Sequence, residues 1–175
     1  IWMRLGRAVP TVEEDGSMKR WIAMFIVGFM VVGCARVYKR QAEFVPEEYA
    51  PYAGAGTSRL CGQVFLSLDN GQTHPGVHDY VLLVPVTSYT QEAFKVKVVQ
   101  RRRIEPQDPQ AQRFEKTAQT DQDGRFCFLD VPAGDYYVLA DVTHPDSTKG
   151  KRVGMLVYAQ ATVNEHDNVH IMVTQ

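Results

Sequence analysis

The sequence has no excess of either charge, and this absence excludes one class of function. Its 175 residues include 19 lysines and arginines against 20 aspartates and glutamates. A nucleic-acid-binding surface needs many basic side chains to neutralise phosphates. The one dense basic run, Arg101, Arg102 and Arg103, precedes Glu105 and Asp108 in a proline-rich stretch and is typical of a solvated loop. We therefore expect no nucleic acid among the partners.

Recognisable motifs for catalysis or metal binding are also missing. His166 and His170 would share one face of a strand, as would His74 and His78, but neither pair has cysteines or carboxylates at the spacing of a zinc site. Residues 121–124 are similar to the opening of a calcium loop, yet no glutamate follows at the spacing of an EF-hand. We expect solvated histidines, a plain Asp-Gly turn, no catalytic residue, no metal and no diffusible cofactor.

A long apolar run is the third absence. Lys19 and Arg20 precede an apolar stretch over residues 21–32, whereas a membrane-spanning helix needs about 20 apolar residues. A basic start before a short apolar segment is the layout of a signal peptide. We predict a cleaved signal helix over residues 18–33, with a permanent single-pass anchor as the alternative.

The residues before Met18 do not fit this layout. Residues 1–17 include Glu13, Glu14 and Asp15, whereas the leading region of a signal peptide is basic. We expect the natural start at Met18 and interpret residues 1–17 as a non-native upstream extension.

The end of the apolar segment carries a family resemblance. Val31-Val32-Gly33-Cys34-Ala35 resembles the lipobox of bacterial lipoproteins, in which small residues precede a cysteine. The resemblance implies a diacylglycerol on Cys34, cleavage before it, and an N-acyl chain such as palmitate on the new amino terminus. Several acyl chains would attach the chain stably to a bilayer. Ala35 implies the periplasmic face of the outer membrane. The alternative is a Cys34 that merely ends the apolar run.

The remaining residues separate into a tether and a domain. Residues 34–58 contain two prolines, two glycines and mixed charge without a sustained period, which predicts a flexible linker. Its tyrosines, Tyr38, Tyr49 and Tyr52, could instead dock on a partner or on the membrane. Residues 59–175 have the length and composition of one globular domain.

Short β-branched and aromatic runs divided by turn residues predict an all-β sandwich over this domain, with no amphipathic helix of useful length. The predicted strands are Arg59–Leu68, Asp79–Ser88, Glu92–Gln100, Arg113–Thr120, Arg125–Leu129, Asp135–Val142, Gly154–Thr162 and Asn168–Val173. Turns are expected at residues 69–71, 123–124, 132–134 and 144–150. Alternation predicts that the inward side chains include Leu60, Val64, Leu66, Phe126, Phe128, Tyr136, Val138 and Ala140.

This domain resembles the carboxypeptidase regulatory-like domains. The resemblance depends on Gly62-Gln63-Val64 and on residues 120–136, TDQDGRFCFLDVPAGDY, which look like the family signature T-D-x-D-G-x-F-x-F-x-x-x-P-x-G-x-Y. It implies a Greek-key, transthyretin-like sandwich of about seven to eight strands without enzymatic activity. Residues 88–116 are longer than the family usually allows before this signature. We expect an extra hairpin there and an interaction loop that carries Arg101, Arg102 and Arg103.

Two cysteines remain once Cys34 is assigned to lipid. Cys61 and Cys127 are both predicted on outward faces of strands, and export would place them in an oxidising compartment. A disulfide between them requires that the two strands adjoin. Two separate thiols are the alternative.

Together these features predict a non-enzymatic cell-envelope lipoprotein whose sandwich is a protein-interaction or structural module. Its expected partners are the lipid bilayer, through Cys34, and an envelope protein. The alternative is a carbohydrate-binding or carbohydrate-processing accessory module, or an enzyme, with a composite site of His74, His78 and Arg101–Arg103.

Overall fold

The computed structural model describes residues 37–68, 71–146 and 151–174, with the backbone alone for 144–146 and 151–153. The predicted signal helix, Cys34 and most of the turns at 69–71 and 144–150 lie outside these residues. No helix within the described ranges is long and apolar enough to span a bilayer. The strands are β1 (Ser58–Ser67), β2 (Thr73–Pro75), β3 (Tyr80–Pro85), β4 (Lys116–Gln119), β5 (Arg125–Val131), β6 (Gly134–Asp146), β7 (Lys151–Val163) and β8 (Asn168–Val173). The helices are α1 (Pro46–Tyr49), a 3₁₀ turn (Ala50–Tyr52), α2 (Ser88–Phe94), a π-helical turn (Lys95–Val99) and α3 (Pro109–Gln112).

The strands form two sheets, and the predicted all-β sandwich is confirmed. In the first sheet, β1 pairs antiparallel with β5, parallel with β8, and through its last residues with β2. The second sheet has the order β4-β3-β6-β7 with every neighbour antiparallel. The long β6–β7 hairpin contributes thirteen residues on each strand.

One hydrophobic core fills the space between the sheets. All the side chains predicted to face inward belong to it, from Leu60 on β1 to Ala140 on β6, and each is nearly inaccessible to solvent. Burying one such aliphatic or aromatic side chain stabilises the fold by about 1.5–3 kcal/mol. The period-two alternation therefore predicted the core of the sandwich correctly.

The signature residues build the turn between β4 and β5. Asp121 Oδ1 accepts hydrogen bonds from the backbone N–H groups of Asp123 and Arg125 at 2.9 and 2.8 Å. These donors hold the pKa of the Asp121 carboxyl below its ordinary value, and the Arg125 N–H has the largest effect. Gly124 has φ +78°, and a Cβ there would collide with the Val64 carbonyl. The side chain of Asp121 thus stabilises the Asp-Gly turn by accepting hydrogen bonds from its backbone N–H groups.

Cys61 and Cys127 lie directly opposite each other in the β1–β5 register, with their Cα atoms 4.0 Å apart. Their sulfur atoms are bonded in the structure. The pair lies on the outer face of the first sheet, where the guanidinium of Arg59 contacts Cys127 Sγ at 3.9 Å. The bond crosslinks two strands that are already hydrogen-bonded neighbours.

Residues 88–116 differ from the prediction. The strand predicted over Glu92–Gln100 and the extra hairpin are wrong, because Ser88–Phe94 is α2 and continues into the π-helical turn. Thr87 caps the helix: its hydroxyl accepts from the Thr90 N–H, and the Thr90 hydroxyl accepts from the Thr87 N–H. The expectation of no amphipathic helix is therefore also wrong.

The helical period is present in the sequence but is obscured by a second pattern. Tyr89, Ala93 and Val96 recur at helical spacing and face the protein, with Tyr89 and Val96 almost fully buried. Lysines alternate with valines over residues 95–98, which is the pattern of a half-buried strand. The cap and the packing decide in favour of the helix.

The segment before β1 also differs from the prediction. We name residues 37–57 the strap. The flexible linker predicted over 34–58 is wrong for this part, because Tyr49 is completely buried in a second hydrophobic cluster with Tyr89 and Ala111, against which Phe44 and Phe114 pack. Aromatic side chains in the strap supply the apolar area that a true linker lacks.

Polar contacts also tie the strap to α2. The Glu48 carboxylate accepts from the Ser88 N–H at 2.6 Å and from the Ser88 hydroxyl at 2.9 Å. One turn later, the Glu92 carboxylate accepts from the backbone N–H groups of Gln41 and Ala42 at 2.8 and 3.0 Å. The strap therefore follows α2 over more than one helical turn.

We predict that Glu92→Gln weakens the docked strap in a pH-dependent manner. Partial desolvation opposes ionisation of Glu92, but the N–H groups of Gln41 and Ala42 and the Tyr38 hydroxyl outweigh it and lower the pKa of this carboxyl from 4.5. A lowered folded pKa means that the ionised form stabilises the fold above the ordinary pKa and that this stabilisation is lost as pH falls through the folded value.

Thermal unfolding should therefore give a lower Tm for Glu92→Gln than for the unmodified protein at neutral pH, with the difference vanishing below pH 4.5. Glu47→Gln is the matched control, since Glu47 is exposed on the same strap. An equal difference at neutral and acidic pH would contradict the assigned role.

Candidate functional site

A cleft lies between the end of the helical segment and the outer face of β7. It encloses about 850 Å³. We refer to this concave region as the cleft. The residues that line it are Lys97, Val98, Val99, Arg101, Gly154, Met155, Leu156, Tyr158 and Thr174. The position of α2 on the sheet thus creates this concave surface.

Aromatic stacking fixes α2 on the second sheet. The Phe94 ring lies parallel to the Tyr137 ring of β6, with centroids 4.2 Å apart and an interplanar angle of 3°. The Tyr158 ring of β7 meets Phe94 edge-on at 5.1 Å. Such pairs contribute about 0.5–1.5 kcal/mol beyond their buried area. Burial raises the pKa of the Tyr137 hydroxyl, so the ring on which Phe94 stacks stays uncharged.

Tyr158 is the aromatic side chain that the cleft presents to solvent. It is 42% exposed, and Val99, on the opposite wall, is 64% exposed. Within the described residues, the Tyr158 hydroxyl has no hydrogen-bond partner and Lys97 and Arg101 form no ion pair. The cleft therefore offers an apolar ring and wall beside groups that can donate hydrogen bonds to a ligand.

The structure distributes the predicted site residues over different regions. Arg101 lines the cleft with φ +51°, and Arg102 and Arg103 follow it toward the strap. The Arg102 guanidinium lies 5.3 Å from the Tyr38 ring centroid. The Arg103 carbonyl accepts from the Tyr38 N–H at 2.8 Å. The predicted loop is thus attached to the strap.

The histidines of the composite site lie on other elements. His74 belongs to β2 opposite Leu66, and His78 precedes β3 with φ +56°. Over residues 37–68, 71–146 and 151–174, no cluster of three histidine, cysteine or acidic side chains could hold a metal ion. Cys34 lies outside the described residues.

Sequence reasoning missed Tyr158 and Phe94. Tyr158 falls in a correctly predicted strand, in which Val157 and Ala161 are buried and Leu156 and Tyr158 face outward. The alternation therefore contains the signal, namely two large apolar side chains on a supposedly solvated face. Because residues 92–100 were predicted as a strand, the contact of Phe94 with Tyr158 was not expected.

The chemistry of the cleft favours a ligand with both apolar faces and polar groups. An exposed tyrosine ring can stack on an apolar face and donate or accept through its hydroxyl. Cationic side chains donate to hydroxyl, carboxylate or phosphate oxygens. A few converging polar groups on an apolar wall are typical of small-molecule sites.

Comparisons with known proteins give a structural neighbour. No protein-family model and no curated protein matches the chain. A protein from Pseudomonas aeruginosa, whose crystal structure is described as that of a "putative carbohydrate binding protein", matches with a TM-score of 0.67 and 27% identity. The match covers 77% of this chain and 99% of that protein. It supports the β-sandwich over nearly the whole length of the neighbour.

Two pilins match more weakly. The minor pilin of Streptococcus agalactiae has a TM-score of 0.37 and 16% identity, over 69% of this chain and 44% of its own. The major pilin subunit of Bacillus cereus has a TM-score of 0.41 and 13% identity, over 69% of this chain and 30% of its own. Their low TM-scores leave them outside the functional argument.

Proposed function

We propose that this chain is a non-catalytic, carbohydrate-binding lipoprotein of the bacterial cell envelope. Lipid on Cys34 holds it at the periplasmic face of the outer membrane, and the cleft binds the glycan. The lipobox-like residues 31–35 support the anchor. The observation that carries the binding role is the half-exposed Tyr158 ring, which faces an aqueous cleft and has donors beside it.

A pyranose ring has the chemistry that this cleft requires. Its C–H faces are apolar and stack on an aromatic ring, while its hydroxyls accept hydrogen bonds from Lys97, Arg101 and the Tyr158 hydroxyl. The neighbour from Pseudomonas aeruginosa, with its description as a "putative carbohydrate binding protein", supports the same ligand class. We therefore favour the carbohydrate-binding alternative over a purely structural module.

The sandwich itself fits a carboxypeptidase regulatory-like domain. The Asp-Gly turn places Phe126 and Phe128 in the core, with ring centroids 5.7 Å apart. After the Pro-Ala-Gly turn, the Tyr136 hydroxyl donates to the Pro132 carbonyl at 2.9 Å. These contacts support the proposed family. They do not imply an enzymatic reaction, since a fold alone implies none. The envelope-protein partner and the interaction role of Arg101–Arg103 stay predictions.

Intact mass on protein isolated from bacterial membranes tests the anchor. The chain expressed from Met18 should yield a mature species that begins at Cys34 and is heavier by its acyl groups. It should fractionate with the outer membrane and be two protons lighter than its reduced form, because of the Cys61–Cys127 bond. Cys34→Ala should abolish lipidation, and an uncleaved product without lipid would contradict the lipoprotein assignment.

Titration of the purified protein with chitotetraose, maltohexaose and a soluble peptidoglycan digest tests the cleft. We expect Tyr158→Ala to weaken binding of the recognised glycan about tenfold, because an aromatic contact contributes up to about 1.5 kcal/mol. Tyr158→Phe keeps the ring and loses only the hydroxyl, so it should weaken binding less than Tyr158→Ala does. Leu129→Ala, which alters an exposed apolar side chain on the other sheet, should have no effect. Failure of all three probes to bind, or unchanged binding by Tyr158→Ala, would contradict the proposal.

A further inference from the structure

We infer that a basic patch beside the strap rests on the anionic phospholipid headgroups of the membrane that holds Cys34. The basic patch consists of the exposed side chains of Lys39, Arg101, Arg102 and Arg103. This inference rests on the proposed lipid anchor and adds an orientation of the domain on the bilayer.

The length of chain after Cys34 sets the first constraint. Three residue steps separate Cys34 from Val37, and an extended chain covers at most about 3.6 Å per residue. Val37 therefore lies within about 11 Å of the lipid-bearing residue in any conformation. A domain joined through such a short segment cannot move far from the membrane surface.

The strap transmits this constraint to the basic patch. The Tyr38 N–H donates to the Arg103 carbonyl at 2.8 Å, and the Glu105 N–H donates to the Tyr38 carbonyl at 3.0 Å. This short parallel bridge places Lys39 and Arg103 on neighbouring backbones, one residue beyond Tyr38 and one before Ile104. The part of the domain that follows the anchor directly along the chain is therefore hydrogen-bonded to the segment that carries the cations.

Two acidic residues near the basic patch, Glu92 and Glu105, accept hydrogen bonds from backbone N–H groups of the strap. Glu105 Oε2 accepts from the Arg40 N–H at 2.9 Å. The Glu92 carboxylate accepts from the N–H groups of Gln41 and Ala42. Among the residues that the structure describes, no carboxylate forms an ion pair with a member of the basic patch. The four cations therefore have no carboxylate partner there, and the only ring contact among them is that of Arg102 with Tyr38 in the described residues.

Clusters of basic side chains beside a membrane attachment point are attracted to anionic lipids. Each lysine or arginine near such a surface raises binding about fivefold, and the attraction falls off within a Debye length. The patch and its surroundings thus fit phosphatidylglycerol-type headgroups better than neutral ones. Arg101 belongs to both regions, so this orientation would place the cleft close to the bilayer.

Tryptophan fluorescence offers a direct test. Both tryptophans of the chain, Trp2 and Trp21, precede Cys34 and are absent from the cleaved form. Gln100→Trp, at an exposed position beside the patch, therefore gives the mature lipoprotein a single reporter. Leu129→Trp, 56% exposed on the other sheet, is the matched distal reporter. Each lipidated protein is reconstituted into vesicles that contain a headgroup-nitroxide lipid as quencher.

We expect strong quenching at position 100 in vesicles of phosphatidylcholine mixed with phosphatidylglycerol, and weak quenching in phosphatidylcholine alone. Salt at about 1 M, where the Debye length is about 3 Å, should remove the difference. The distal reporter at position 129 should be quenched equally in both vesicles. Adding Lys39→Gln with Arg103→Gln should lower the ratio of docked to undocked protein roughly 25-fold.

The matched control removes two cations from the outer face of the first sheet. Arg59→Gln with Arg125→Gln should leave the quenching at position 100 unchanged. Equal quenching of this reporter in neutral and anionic vesicles, by a protein whose mass confirms its acyl groups, would overturn the inference and leave the anchor intact. A mass without acyl groups would instead overturn the proposed anchor, and this inference with it.

Discussion

Tyr49 joins the strap to the start of α2, the helix that lies on the outer face of the second sheet. Its side chain is completely buried, with the rings of Phe44 and Phe114 each 4.8 Å from it. Its hydroxyl accepts from the Thr87 hydroxyl at 3.1 Å. Thr87 is also the N-cap of α2, so the buried tyrosine and the start of the helix share one hydrogen-bonded group. Separation of the two segments would leave the buried Tyr49 hydroxyl without this partner, which is costly.

The domain therefore contains two hydrophobic clusters with different structural roles. The sandwich core, between the sheets, contains no residue of the segment 88–116. The second cluster joins the strap to α2 and α3. A separate contact, the stacking of Phe94 on Tyr137 of β6, places α2 on the outer face of the second sheet. The cleft at Tyr158 and the basic patch at Arg103 both lie at the end of this helical segment. The proposed glycan site and the proposed membrane contact consequently depend on a structure that is peripheral to the sandwich.

The sandwich could be predicted from sequence because its signals are local. Alternation placed Leu60, Val64 and Phe126 in the core, and the Asp-Gly turn marked the boundary between β4 and β5, which belong to different sheets. The helix and strap could not be predicted in this way. Alternating lysine and valine over residues 95–98 is typical of a strand. The Thr87 cap and contacts with distant residues, such as Tyr49 with Thr87, together favour the helix. Tyr158 was missed for the same reason, since its neighbour Phe94 comes from that helix.

Hydrogen exchange on the lipidated chain tests this dependence most directly, with Tyr49→Ala compared against Tyr49→Phe. Tyr49→Ala removes a buried ring and should cost about 3–5 kcal/mol locally. We predict that it abolishes exchange protection in both the strap and α2, while amides of β6 stay protected. Tyr49→Phe should retain protection in both segments, since it removes one hydrogen bond of about 1 kcal/mol. Full protection of α2 in Tyr49→Ala would contradict the account, because the helix would then hold its place without the strap.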